Sequence, residues 1–194
     1  MPEPFRFVVL SSHTKPSDFF EPVDVVPYWR DRSNCYNLME AFRPDLGGRR
    51  IIVGLDTVIT GALDDICGYG GNLAFNRDPY NPDTFSTGVI LCDEIGADEV
   101  WTKWIGGKDE SRLPAYRAGV TEHSDRLGSH PSDLAWMRRQ EFKHELTNDL
   151  FPGQIVSYKE SVRGKVRQGN ERMVWFHGHP KPHQIDDWVR SYWD

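Results

Sequence analysis

No apolar run in this 194-residue chain approaches the roughly 20 residues that a membrane-spanning helix needs. Nor does the opening Met1-Pro2-Glu3-Pro4 have the basic-then-apolar layout of a signal peptide, so a cytoplasmic protein without a membrane span is expected. Blocks of basic residues are missing too. The 23 Lys and Arg are scattered among 29 Asp and Glu, giving a net charge of −6, which leaves no electrostatic footprint for nucleic acid or an anionic membrane. Cysteine is scarce. Cys35, Cys67 and Cys92 are odd in number, widely spaced and set in apolar surroundings, which argues against a disulfide framework or a zinc knuckle and for buried free thiols. There is no internal repeat and no low-complexity tract. What is present is a composition that is 38% hydrophobic and 12% aromatic, enough to bury one substantial core, so residues 1–194 are read as a single domain.

Strand and helix signals alternate along the chain. Residues 5–10 (FRFVVL) and 23–26 are short apolar, β-branched runs between breakers, as strands are. Cys35, Leu38, Met39 and Phe42 then fall on one face of a helix, with Ser33 or Asn34 as N-cap and Pro44 and Gly47-Gly48 ending it. Ile51-Ile52-Val53 reads as a buried strand, and residues 72–75 and 87–91 as two more, separated by the turn Asp78-Pro79-Tyr80-Asn81-Pro82-Asp83. Ala97, Val100, Trp101 and Trp104 return to helical spacing. Residues 106–131 are polar and aperiodic, a long surface excursion of the kind that carries substrate contacts. A helix is expected after Ser132, strands at 154–158 and 173–176, and a last helix with Ile185, Trp188 and Val189 on one face. This order predicts one α/β sheet, mixed but mainly parallel, flanked by helices.

Three constellations could carry chemistry. In IIVGLDTVITGAL (51–63) an apolar strand delivers Asp56 to a sheet edge, where open α/β sheets meet ligands; a strand-ending Asp equally fits a turn or an N-cap. In Phe176-His177-Gly178-His179-Pro180-Lys181-Pro182, imidazoles able to ligate a metal sit beside a glycine that admits close approach and a lysine that can neutralise phosphate. A solvated His- and Pro-rich turn is the plain alternative. In Ser132-Asp133-Leu134-Ala135-Trp136 a carboxylate occupies the first turn of a helix, which favours it by about 0.3–1 kcal/mol without any catalytic role. Asp78 and Asp93 are weaker candidates that also fit a turn and a strand end.

Together and in this order these segments resemble the GT-A glycosyltransferases, above all bacterial and phage-type proteins related to the glycogenin and lipopolysaccharide enzymes of family 8. The resemblance rests on FRFVVLSS (5–12), NCYNLMEAF (34–42), GLDTVITGALDDI (54–66), FSTGVILCD (85–93), SDLAW (132–136) and FHGHPKP (176–182). It implies a GT-A-like domain that uses Mn²⁺ or Mg²⁺ and a nucleotide-diphosphate sugar. In the family's strand-end Asp-x-Asp motif the second Asp matches Asp56, a metal ligand, and the first, associated with metal and donor ribose, falls on Gly54. In the late motif Gly178, Lys181 and Pro182 match directly. The metal-binding His falls on Trp175, and His177, two residues later and so on the same strand face, is taken in its place. Asp133 matches an acceptor-side motif in which Leu134 replaces an amide. Relatives open with a further strand and helix that hold the base, and this chain is expected to begin beyond them.

The resemblance therefore implies sugar transfer to a hydroxyl-bearing acceptor, with Asp56 and His177 on the metal, Lys181 on the leaving diphosphate, Gly178 and Gly54 in the cofactor-binding loops, and Asp133 orienting the acceptor. A non-catalytic domain that keeps the fold for binding or assembly is the alternative raised by Gly54 and Leu134. A metal-dependent hydrolase with Asp56, His177, His179 and His183 as ligands is a third reading, without the tight ligand spacing such enzymes show.

Overall fold

The computed structural model describes residues 5–15, 23–29, 35–106, 133–185 and 188–192. The strands are β1 (Val8–Leu10), β2 (Asp24–Val26), β3 (Arg50–Val53), β4 (Thr57–Ile59), β5 (Leu73–Arg77), β6 (Phe85–Cys92), β7 (Glu145–Leu146), β8 (Ile155–Ser157) and β9 (Met173–Trp175). The α-helices are α1 (Asp64–Cys67), α2 (Glu94–Gly106), α3 (Asp133–Arg138) and α4 (Thr147–Leu150).

The architecture is α/β with mixed sheets, as expected, but the strands divide among three sheets instead of one. β1 pairs with β2, a four-stranded sheet runs β3-β6-β5-β7, and a three-stranded sheet runs β4-β9-β8. Pairings β1·β2, β5·β7 and β8·β9 are parallel, whereas β3·β6, β5·β6 and β4·β9 are antiparallel, so parallel pairs do not predominate among the described residues.

Strand alternation assigns each face a core. On β5 and β6, Leu73, Phe75, Ile90 and Cys92 pack with Met39, Phe42, Val100, Trp101 and Trp136 under the helices. The intervening Ala74, Val89 and Leu91 meet Ile155, Met173 and Trp175, joining the two larger sheets face to face. The far face of the three-stranded sheet, Val58, Val156 and Val174, is covered by Tyr158, Val162, Phe176 and Val189. Helices, four-stranded sheet, three-stranded sheet and C-terminal segment thus stack as successive layers.

The first expected helix exists, with a different period. Cys35–Phe42 is a 3-10 helix, and in that geometry residues three apart eclipse, which aligns Tyr36, Met39 and Phe42, at 2%, 0% and 0% exposure. Of the polar excursion expected at 106–131, Gly106 ends α2 and the rest lies outside the described residues, as does Ser132. At the C-terminus Ile185, Trp188 and Val189 do pack on one core, while the described helical residues are the short 3-10 turn Arg190–Tyr192. Cys92 is a buried thiol, its pKa pushed up to about 12 by burial, whereas Cys67 is exposed, contrary to the expected burial. No helix among the described residues is long and apolar enough to cross a membrane.

Candidate functional site

Topology gathers chemistry at one edge of the three-stranded sheet. β4 runs antiparallel to β9, with Thr57 opposite Trp175, so the residue before β4 meets the residues after β9. β8 is parallel to β9, with Ser157 beside Trp175, so both strands deliver their next residues to the same edge. Asp56, which lies between β3 of one sheet and β4 of the next, accepts the Phe176 N–H at its carbonyl (2.8 Å) and pairs through its carboxylate with the Lys181 ammonium. Residues 125 positions apart are joined by that ion pair.

His177 stands beside them. Its Nε2 lies 2.9 Å from Ser157 Oγ, and its ring packs against Trp175 (4.8 Å between centroids) and edge-on to Tyr80 (5.2 Å, 82°). Burial lowers its pKa, the positive charges of Lys159 and Lys181 lower it further, and Asp78 and Glu160 oppose them. The net result is an imidazole held neutral at pH 7. Gly178 follows with φ +62°, the left-handed region that favours glycine, and a Cβ there would lie 3.2 Å from Lys159 Nζ.

The turn after β5 forms the rim. Asp78 Oδ1 accepts the N–H groups of Tyr80 (2.7 Å) and Asn81 (3.0 Å), and its other oxygen pairs with Arg138 of α3. Burial alone would raise the Asp78 pKa, but these hydrogen bonds and the Arg138 charge outweigh it and the net shift is downward. A fixed carboxylate therefore presents Tyr80, 66% exposed, over His177.

Of the residues singled out from sequence, Asp56, His177, Gly178 and Lys181 come together. Gly54 lies on the same crossover, where a Cβ would have only the Asp56 backbone nitrogen within reach, at 4.0 Å. Asp133 is placed a layer away. The residue is 7% exposed, and its carboxylate accepts the Thr87 hydroxyl (2.7 Å), with burial raising its pKa against that hydrogen bond. It reaches the site only through β6, because Gly88, next to Thr87, is where the Trp175 ring rests: a Cβ there would sit 2.4 Å from Trp175 Cε3. Asp93 has a structural use, accepting the Gly96 N–H (2.8 Å) at the start of α2. His179 faces Gln184 (3.3 Å).

Ser157, Lys159, Tyr80 and Trp175 were not singled out as site groups. Ser157 ends β8 and Lys159 follows it, on a strand that was legible, and the rule that ligands gather at the carboxyl ends of strands points to both.

Among the described residues no three carboxylate, imidazole or thiol side chains converge, so the hydrolase's four-ligand set is not assembled. Asp56 and His177 make at most two ligands. A Mg²⁺ or Mn²⁺ ion there would need waters and substrate phosphate oxygens to complete its shell, and Asp56 would have to exchange Lys181 for the ion.

No family model matches the chain, and no curated protein sequence matches it. Among solved structures it superposes on the glycosyltransferase GlyE of Streptococcus pneumoniae TIGR4 with a TM-score of 0.52 at 15% identity, over 88% of this chain and 46% of that one. The fold is that of a glycosyltransferase. The apo form of the same enzyme gives 0.47 at 16% identity over 88% and 45%. At such identity the likeness speaks for the fold alone, and the chain spans under half the length of these neighbours.

Proposed function

We propose that this domain transfers a sugar from a nucleotide-diphosphate donor of the GT-A kind to a hydroxyl-bearing acceptor, with the leaving diphosphate received at the edge formed by Asp56, His177 and Lys181. The observation that carries the reading is the Asp56 to Lys181 ion pair beside His177 at a strand-end edge of a glycosyltransferase fold. In the transfer, the bond from the anomeric carbon to the diphosphate oxygen breaks with its electrons going to the diphosphate. A new bond forms to the acceptor oxygen, whose proton leaves to the diphosphate or water. Lys181 supplies positive charge where negative charge develops, the arrangement that does most to lower such barriers. Gly178 lets phosphate oxygens approach the backbone, and Tyr80 offers an aromatic face to a sugar or base. Asp133 is assigned to the acceptor side through Thr87. Asp56 and His177 would hold Mn²⁺ or Mg²⁺, whose chemistry is that of a Lewis acid on the leaving diphosphate.

A thermal-shift titration with Mn²⁺ and UDP, GDP, CDP or dTDP tests this. A nucleotide at about 100 times its Kd adds about 2.7 kcal/mol, a midpoint rise of roughly 5–10 °C for a domain of this size. One base should give that rise and Asp56→Ala should abolish it. No rise with any base would turn the reading to a non-catalytic domain that keeps the fold.

A further inference from the structure

Lys159 has no role in the resemblance and none in the reading above, yet its setting is unusual for a lysine. Its side chain is half-buried, and among the described residues it makes no hydrogen bond and no ion pair. Lys181, by contrast, is already neutralised by Asp56. Lys159 is also fixed in direction. The turn that carries it begins with Tyr158 stacked on Phe176 (4.3 Å, 13°) and with Ser157 bonded to His177, so the backbones at 157–159 and 175–178 run as a unit. Its ammonium then lies against the one face of Gly178 where any other residue would place a Cβ, at 3.2 Å. Of the carboxylates near His177, Asp56 is taken by Lys181 and Asp78 by Arg138, and Glu160, next in the chain, makes no ion pair with Lys159 among the described residues.

We propose that Lys159, against Gly178 and, like Lys181, near His177, is a second phosphate-binding cation of this site, so that a diphosphate is held between two ammonium groups. The proposal rests on the diphosphate reading of the site. Lys159 can take a phosphate oxygen without breaking an existing ion pair, whereas Lys181 must first leave Asp56. Diphosphate binding in the absence of metal should therefore depend on Lys159 first.

Calorimetric titration of the full chain in EDTA, with inorganic pyrophosphate and with UDP, GDP, CDP and dTDP, separates the outcomes. Wild type should bind pyrophosphate and at least one nucleotide. Lys159→Gln should weaken both by the same factor, about ten- to a hundredfold, the effect of one charge-assisted hydrogen bond. Lys159→Arg should recover most of the loss, and the thermal midpoint of both variants should stay near that of wild type, since no described contact is removed. If wild type binds and Lys159→Gln binds equally well, the proposal falls and the diphosphate reading stands. If the variant loses the nucleotide but keeps pyrophosphate, Lys159 touches base or sugar and the proposal falls. If wild type binds neither probe in EDTA, the proposal falls; the same titration with Mn²⁺ then decides the reading, which falls only if binding is absent there too.

Discussion

Two ion pairs in this molecule illustrate how differently a charge can be used. Arg43 is 1% exposed and fully engaged, donating to Glu40 (3.1 Å), to both oxygens of Asp45 (3.0 Å each) and to the Pro27 carbonyl (2.8 Å), with Trp29 against its guanidinium at 4.5 Å. Such a buried, saturated network ties the segment after β2 to the first 3-10 helix, and removing one member leaves a charge unpaired. The Asp56 and Lys181 side chains are 41% and 30% exposed, so their attraction is screened and adds well under about 1 kcal/mol to stability. A pair that does so little for the fold is free to exchange partners. His177 makes the residue-scale prediction. Its pKa in the folded chain lies below the 6.5 of an unperturbed imidazole, because burial and two lysines disfavour the proton. Between the folded value and 6.5 the unfolded chain binds the proton more readily, so stability rises with pH through that window. The contribution is fully present above pH 6.5 and is lost as pH falls through 6.5 towards the folded value. Urea unfolding from pH 8 to pH 5 should show a shallower acid-side fall for His177→Gln than for wild type, and parallel profiles would mean that the imidazole is not held neutral.

At the scale of elements, α2 depends on a missing side chain. Its Gly96 packs on the turn before β5 so closely that a Cβ would lie 1.9 Å from the Asn72 carbonyl oxygen and 2.7 Å from its carbon. Those are backbone atoms and cannot swing aside. Gly96→Ala should therefore destabilise by about 1–3 kcal/mol in urea unfolding, although alanine favours an exposed helix by about 1 kcal/mol. A stability gain would show that helix and strand are not in contact there. Periodicity read α2 and the strands at 72–75 and 87–91 correctly because their faces are decided by burial of Trp101, Trp104, Phe75 and Ile90. It did not show β4, β7 or α4, whose two to four residues are too few for a period. It also took an α-helical face at 35–42 where the eclipsed 3-10 spacing is used, since Met39 and Phe42 satisfy both. Asp56, His177, Gly178 and Lys181 were legible as residue types at strand ends. Ser157 and Lys159 stood at an equally legible strand end, but which strand end meets the others depends on the pairing of β8 with β9, and Tyr80 reaches the site only through the Asp78 clamp.

Across the whole molecule the candidate site lies where the chain passes from one sheet to another. β3 belongs to the four-stranded sheet and β4 to the three-stranded one, so Asp56 sits on a crossover, and Trp175 links the layers through Gly88. The antiparallel ladder of β5 and β6, buried on both faces, is a scaffold that needs no ligand for order. The site's segments are different: each is a strand end whose next residues are anchored on one side and open on the other. A bound diphosphate should therefore stabilise them locally more than the layers behind, as expected where local opening costs less than global unfolding. Amide hydrogen exchange with and without saturating pyrophosphate should show slowed exchange at residues 54–57, 157–160 and 176–181. Amides of the buried β5 and β6 ladder should gain no more than the global stabilisation that binding confers. Protection that appeared instead around Arg43, or uniformly over every segment, would place the anion elsewhere, because an ion held between Lys159 and Lys181 touches only the ends of β8 and β9 and the crossover before β4.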